Sequence, residues 1–196
     1  MDRWIYAAHA LFWGAFLVRW IPRRAAAPAG GEGPRPVTRR RAAKHAGLVL
    51  LVHAIGFGCL YEGIGRVVFS GVHVARFFDL PWPIGAGVIL LGGAVFAWAL
   101  VVFDSWRVLA KLDEGHRLCT EGPYRQIRHP IYLACNLLAV GSFLWIPTAE
   151  TLVGMIVMLA GAELRARSEE GLLLDVFGEA YRRYRETTKR YLPGIY

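Results

Sequence analysis

Residues 122–132 read GPYRQIRHPIY and gather Tyr124, Arg125, Arg128, His129 and Tyr132 between long apolar stretches. A second polar group, Arg165, Arg167, Glu169 and Glu170, follows the next two apolar segments. These side chains offer a definite chemistry. Arginine clamps a carboxylate through paired hydrogen bonds. Glutamate binds an amine or a ribose hydroxyl, and histidine donates a hydrogen bond or moves a proton near neutral pH. Ionisable groups close to membrane depth are costly unless they are paired or used. The same residues also admit a plainer account. Arginines beside a membrane helix snorkel to lipid phosphates, Glu169 or Glu170 then pairs with them, and His129-Pro130 is a polar cap followed by a first-turn proline.

The elements that must position these groups are read from hydropathy. Apolar residues make up 55% of the 196-residue chain and charged residues only 19%, a balance that points to an integral membrane protein. Segment one runs from Trp4 to Ile21 and lacks the basic start and small-residue cleavage pattern of a signal peptide. The linker over 22–45 carries Arg23, Arg24, Arg35, Arg39, Arg40, Arg41 and Lys44 against Glu32, and so belongs on the cytoplasmic side. Segment two spans Ala46 to Phe69 and holds Glu62 and Arg66 at i,i+4 spacing, a pair expected to share one helix face. Segment three, Ile84 to Phe103, carries Gly85, Gly87, Gly92 and Gly93, the small residues of close helix packing, with Trp82 as an interfacial anchor.

Segments four and five, 131–146 and 148–162, are separated by Pro147 and read as a helical hairpin. The tail from Glu163 to Tyr196 contains LLLDVF followed by Tyr181 and Tyr184, an amphipathic pattern suited to lying on the membrane or the hairpin. The expected fold is therefore all-α and polytopic, with five transmembrane helices. Its N-terminus lies outside, its tail lies on the cytoplasmic side, and the two polar groups share one face. Residues 1–45 form the first helix and its linker, and 46–196 form the core.

Several function classes are disfavoured. The net charge of +8 clusters at the ends of apolar segments, which suits an anionic membrane surface and not a nucleic-acid groove. The three cysteines, Cys59, Cys119 and Cys135, form no CxxC, and His9, His45, His53, His73 and His116 make no tight metal-ligand set with His129. The glycines of segment two follow no strand, so they are not a dinucleotide fingerprint.

The combination of GPYRQIRHPIY, RARSEEGLLLDVFGEAYRRY and a late TKRYLP resembles the isoprenylcysteine carboxyl methyltransferase family, within a wider group that includes membrane phospholipid methyltransferases. The likeness covers roughly 105–196. It implies a membrane-embedded helical core that binds S-adenosylmethionine at its cytoplasmic side, with the C-terminal tail as a lid over the cofactor, and methylates a carboxylate or thiolate of a lipophilic acceptor. Carried onto this chain, cofactor contacts fall on Gly122, Tyr124, His129, Pro130, Glu169, Glu170 and Tyr181. Arg128, Arg165, Arg167 and Tyr132 fall near the reacting groups, with the choice among the arginines open. The minimal core suggests a prokaryotic inner-membrane relative, with membrane lipids and a lipophilic or lipid-modified acceptor as partners. A sterol-reductase-like membrane reductase and a non-catalytic lipid-binding protein are the competing readings.

Overall fold

The computed structural model describes residues 2–20, 41–70, 74–103, 111–112 and 117–195. Most of the basic linker, His73, His116 and the stretch around Arg107 lie outside the described residues.

The described chain is helical: α1 (Trp4–Gly14) with a 3-10 extension (Ala15–Trp20), α2 (Ala46–Phe69), α3 (Trp82–Val102), a 3-10 turn (Gly122–Arg125), α4 (Pro130–Trp145), α5 (Ala149–Phe177) and α6 (Glu179–Thr187). Its one ladder pairs Arg41–Ala42 with Lys111–Leu112, antiparallel. Two helices, α2 and α3, are long and apolar enough to cross a membrane. Their outward residues are apolar as well: Leu48, Leu51, Ile55, Leu90, Leu91 and Trp98 are all exposed. These apolar outer faces support membrane association.

Two antiparallel seams bring backbones together. Between α2 and α5, a Cβ built on Gly154 would lie 2.6 Å from Leu60 N, one on Gly161 2.9 Å from His53 Cα, and one on Gly63 3.0 Å from Thr151 N. Between α3 and α4, a Cβ on Gly85 would lie 2.6 Å from the carbonyl of Gly141, and one on Gly92 2.9 Å from that of Ala134. The pairs 56/63, 154/161, 85/92 and 134/141 each repeat at seven residues, so every contact falls on the same helix stripe. Gly87, although part of the same glycine-rich run, meets nothing within 4 Å and is not a packing glycine.

A buried polar chain ties α1 to α2 and α4, and its protons are fixed by elimination. Ser142 donates to the Leu138 carbonyl at 2.6 Å, so it accepts from His9 Nε2 at 2.9 Å. His9 Nδ1 then accepts from the Tyr61 hydroxyl at 2.9 Å, and that oxygen accepts Trp13 Nε1–H at 2.7 Å. Each member is satisfied, as burial requires. Helix α1 accordingly shares the core of α2–α5.

Three expectations are corrected. Segment one gives a regular α-helix only to Gly14 before tightening into 3-10 geometry. Segment five does not stop at 162: α5 continues unbroken to Phe177, because no proline interrupts it and the one glycine, Gly171, stands among strong helix formers, and LLLDVF closes it. Gly178, at φ +51°, makes the corner into the amphipathic α6. Arg66 pairs not with Glu62 on its own helix but across the seam with Glu150, at 2.5 Å.

Replacing a seam glycine should therefore cost far more than replacing a free one. Gly85→Leu and Gly154→Leu are expected to lose about 1–3 kcal/mol of stability. Gly58→Leu and Gly87→Leu, whose positions are open, should lose nothing measurable when the four variants are unfolded thermally in one detergent.

Candidate active site

The site forms where the start of α4, the second half of α5 and the C-terminal tail meet. Gly122 begins the 3-10 turn at φ +55°, and a Cβ there would strike Val102 Cγ2 at 2.6 Å, so the residue must be glycine to let the turn lie against α3. Pro123 opens that turn and Pro130 opens α4. His129 occupies the N-cap position of α4 but makes no side-chain cap. Its ring faces the glutamates instead.

Glu170 is 5% exposed and anchors the cluster. Its Oε1 accepts from Arg128 Nε at 3.0 Å and Arg190 Nε at 3.1 Å, and meets His129 Nε2 at 3.3 Å; its Oε2 accepts from Arg190 Nη2 at 2.8 Å. Arg190 also donates to Glu163 at 2.6 Å. Arg128 is further held by the carbonyls of Arg185 (3.2 Å) and Thr188. The tail backbone completes the strap, with Arg128 N–H donating to the Lys189 carbonyl at 2.7 Å and His129 N–H to that of Arg190 at 3.1 Å. Burial by itself would raise the Glu170 pKa, but hydrogen bonds from His129, Arg190 and Arg128 hold it well below the ordinary carboxylate range.

Glu169 sits on the other side of the same imidazole. His129 Nδ1 lies 3.7 Å from its Oε2, which accepts the Tyr132 hydroxyl at 2.8 Å. His129 and Tyr132 stack, with centroids 5.3 Å apart and planes inclined by 12°. The Arg165 guanidinium lies over the Tyr132 ring, 4.8 Å from its centroid, and donates from Nη1 to His53 Nδ1 at 3.1 Å. Histidine, phenol and guanidinium thus form one column running from the polar end into the bundle.

Two kinds of space border this column. A narrow recess of about 30 Å³ has a mixed lining, with Arg128, Glu169, Tyr181 and Tyr184 beside Phe103, Leu118 and Leu173, and an adjoining one of about 20 Å³ adds His129, Ile131 and Tyr132. Burial pushes the Tyr181 and Tyr184 phenols well above their ordinary pKa, so both remain protonated donors. Tyr184 donates to the Tyr124 carbonyl at 2.6 Å, whereas the buried Tyr181 hydroxyl has no hydrogen-bond partner among the described residues. Deeper in the bundle lies an apolar cavity of about 230 Å³, walled by Trp13, Phe57, Phe96, Cys135 and other residues from α1 to α5. Tyr132 and Ile131 belong to both spaces, and His53 and Arg165 are polar members of the inner wall.

Of the residues singled out in the sequence, Gly122, Tyr124, Arg128, His129, Pro130, Tyr132, Arg165, Glu169, Glu170 and Tyr181 are brought together. Arg167 is not: its side chain is 66% exposed and pairs with Glu163 one turn away. Arg128 is enclosed by Glu170 and tail carbonyls, which leaves Arg165 as the arginine on the cavity wall. Arg190 and His53 were not singled out. Arg190 is one of seven basic residues after position 162, and only the late TKRYLP motif distinguished it. No local signal marks His53, whose role depends on a contact 112 residues away.

Residues 84–175 match the model of the isoprenylcysteine carboxyl methyltransferase (ICMT) family. The chain is 30% identical over 149 residues to the protein-S-isoprenylcysteine O-methyltransferase of Schizosaccharomyces pombe, covering 70% of this chain and 63% of that protein. It is 25% identical over 126 residues to the protein of the same name from Dictyostelium discoideum, covering 59% of this chain and 50% of that one. The chain thus matches between half and two-thirds of the length of these curated relatives.

Because the folded pKa of Glu170 is depressed, its contribution to stability is complete above the unfolded carboxylate value, about 4.3, and is lost as pH falls towards the folded value. Wild type should therefore lose thermal stability between about pH 5 and pH 3. Glu170→Gln should start less stable near neutrality and show a flatter profile over that interval, measured by unfolding midpoint in buffered detergent.

Proposed function

With its family-level match to the isoprenylcysteine carboxyl methyltransferases across residues 84–175, we propose that this chain is an S-adenosylmethionine-dependent methyltransferase acting on a carboxylate of a lipophilic acceptor at the cytoplasmic membrane face. The observation that carries the reading is the shared lining: Tyr132 and Ile131 border both a recess of mixed polarity and an apolar cavity, so a polar methyl donor and a greasy acceptor would be brought side by side at one junction. The relatives' names, which specify O-methyl transfer, favour carboxylate over thiolate.

The residues present fit the cofactor in kind. Glu169 offers an acceptor for hydroxyl or ammonium groups, the unpartnered Tyr181 hydroxyl offers a donor, and Phe103, Tyr124 and Tyr184 offer ring faces. A recess of about 30 Å³ is about a tenth of the smallest ordinary small-molecule pocket, about 300 Å³. Cofactor entry therefore displaces the tail, and α6 with the Arg190 strap acts as the lid. When bound, S-adenosylmethionine supplies a methyl group activated by sulfonium charge. The chain's own contribution is positional and electrostatic. Arg165 holds the acceptor carboxylate ionised and aimed, Tyr132 fixes the arginine plane by stacking and is itself held by Glu169, and the apolar walls keep water from the reacting centre. A carboxylate is already deprotonated at neutral pH, so no general base is required.

The same reading includes five spans. Helices α1, α2, α3 and α4 and the first half of α5 cross the bilayer, α4 and α5 form the hairpin, the N-terminus is outside and the tail is cytoplasmic. It is supported by the gathering of the α2 start, the α3 end, the α4 start and the late part of α5 at one end, where Ser168 donates to the Lys44 carbonyl at 2.8 Å.

Calorimetric titration of the protein in nanodiscs with S-adenosylhomocysteine tests this directly. Saturable binding is expected, weakened about tenfold or more in Glu169→Ala and unchanged in Arg165→Gln, which should instead lose methyl transfer. Absence of binding by folded wild type across several lipid compositions would refute the proposal.

A further inference from the structure

His53 lies on α2, outside the family-matched residues 84–175, yet it lines the apolar cavity beside Arg165. The side chain is buried at 1% exposure. It is also held from several sides. Its backbone packs against Gly161, its ring stacks on Phe57 with centroids 5.2 Å apart and planes 9° from parallel, and its Nδ1 takes the Arg165 hydrogen bond at 3.1 Å. A guanidinium can only donate. Nδ1 must therefore carry the lone pair, and the imidazole is the neutral tautomer with its proton on Nε2. That Nε2 is buried and has no hydrogen-bond partner among the described residues. An unsatisfied buried donor is costly, and the residue that carries it lines the cavity beside Arg165.

We infer that His53 is a specificity-determining residue of the acceptor site: its Nε2–H donates to one oxygen of the acceptor carboxylate while Arg165 holds the other. The inference rests on the methyl-transfer reading above and adds a second donor to it. Arg165 has two functions in this arrangement, since its bond to Nδ1 also sets the tautomer that makes His53 a donor. A planar acceptor with two equivalent oxygens satisfies both groups. A single-atom nucleophile such as a thiolate, or a carboxamide whose NH₂ would face the guanidinium or the Nε2–H, satisfies one only.

The test uses two probes of identical tail, an S-prenylcysteine derivative with a free carboxylate and its primary carboxamide, titrated into nanodisc-embedded protein. Wild type should prefer the carboxylate. His53→Phe keeps the stacking face but lacks the donor; it should weaken carboxylate binding about tenfold, leave carboxamide binding nearly unchanged and retain S-adenosylhomocysteine affinity. His53→Gln, which restores an N–H, should recover part of the preference. His53→Phe that still prefers the carboxylate as wild type does, while Arg165→Gln has lost it, overturns the assignment and leaves the methyl-transfer reading standing. Equal loss of both probes in His53→Phe shows a packing role and also overturns it. Wild type that takes up neither prenyl probe overturns the acceptor reading and this inference together.

Discussion

A carboxylate withdrawn from water has to be surrounded by donors, and Glu170 meets that requirement by drawing in groups remote in sequence. Arg128 and His129 come from the entry of α4, and Arg190 comes from the strap beyond α6. Removing one partner of a buried ion network leaves uncompensated charge, at a cost of about 3–5 kcal/mol. Helix α5 must therefore extend to reach α4, and the tail must fold back over both. The narrowness of the recess, the enclosure of Arg128 and the place of Arg190 all follow from the need to neutralise one side chain.

The interior of the bundle solves the same problem differently. The Trp13–Tyr61–His9–Ser142 chain contains no formal charge, and each of its donors has one acceptor. At the boundary between the two regions stands Arg165, whose charge lies on an aromatic face and against an imidazole nitrogen. Polarity thus falls in steps along the bundle, from a multiply bridged carboxylate, through one cation, to a neutral network. Such a gradient suits a site that must accept a charged headgroup and an apolar tail at once.

Much of this arrangement was legible in the sequence because it is written in local patterns. Helix α2 spans Ala46–Phe69 as hydropathy predicted, α3 begins two residues earlier than expected, and proline fixes the start of α4. The junction motif and the glutamate pair do converge. Features set by partners far along the chain were not legible. The helical reading of LLLDVF was right in kind but wrong in boundary, since hydropathy falls after Ala162 while helix propensity does not. The i,i+4 spacing of Glu62 and Arg66 is equally consistent with a cross-helix bond to Glu150. Glycines at seven-residue spacing show that a stripe exists, but their facing partners are known only once the helices are paired.

Those glycine seams also determine how the molecule can yield. Where backbone touches backbone there is no layer of side chains to deform, so α2 with α5 and α3 with α4 behave as two stiff laminates. The apolar cavity lies at the joint between the laminates and is lined on one side by the aromatic rings of Trp13 and Phe16, from α1 and its tightened extension. Compliance is therefore concentrated in the part of the wall that has no glycine seam. A long hydrocarbon arriving sideways from the bilayer would meet rings that can turn on one side of the cavity and, on the other, a frame that cannot swell.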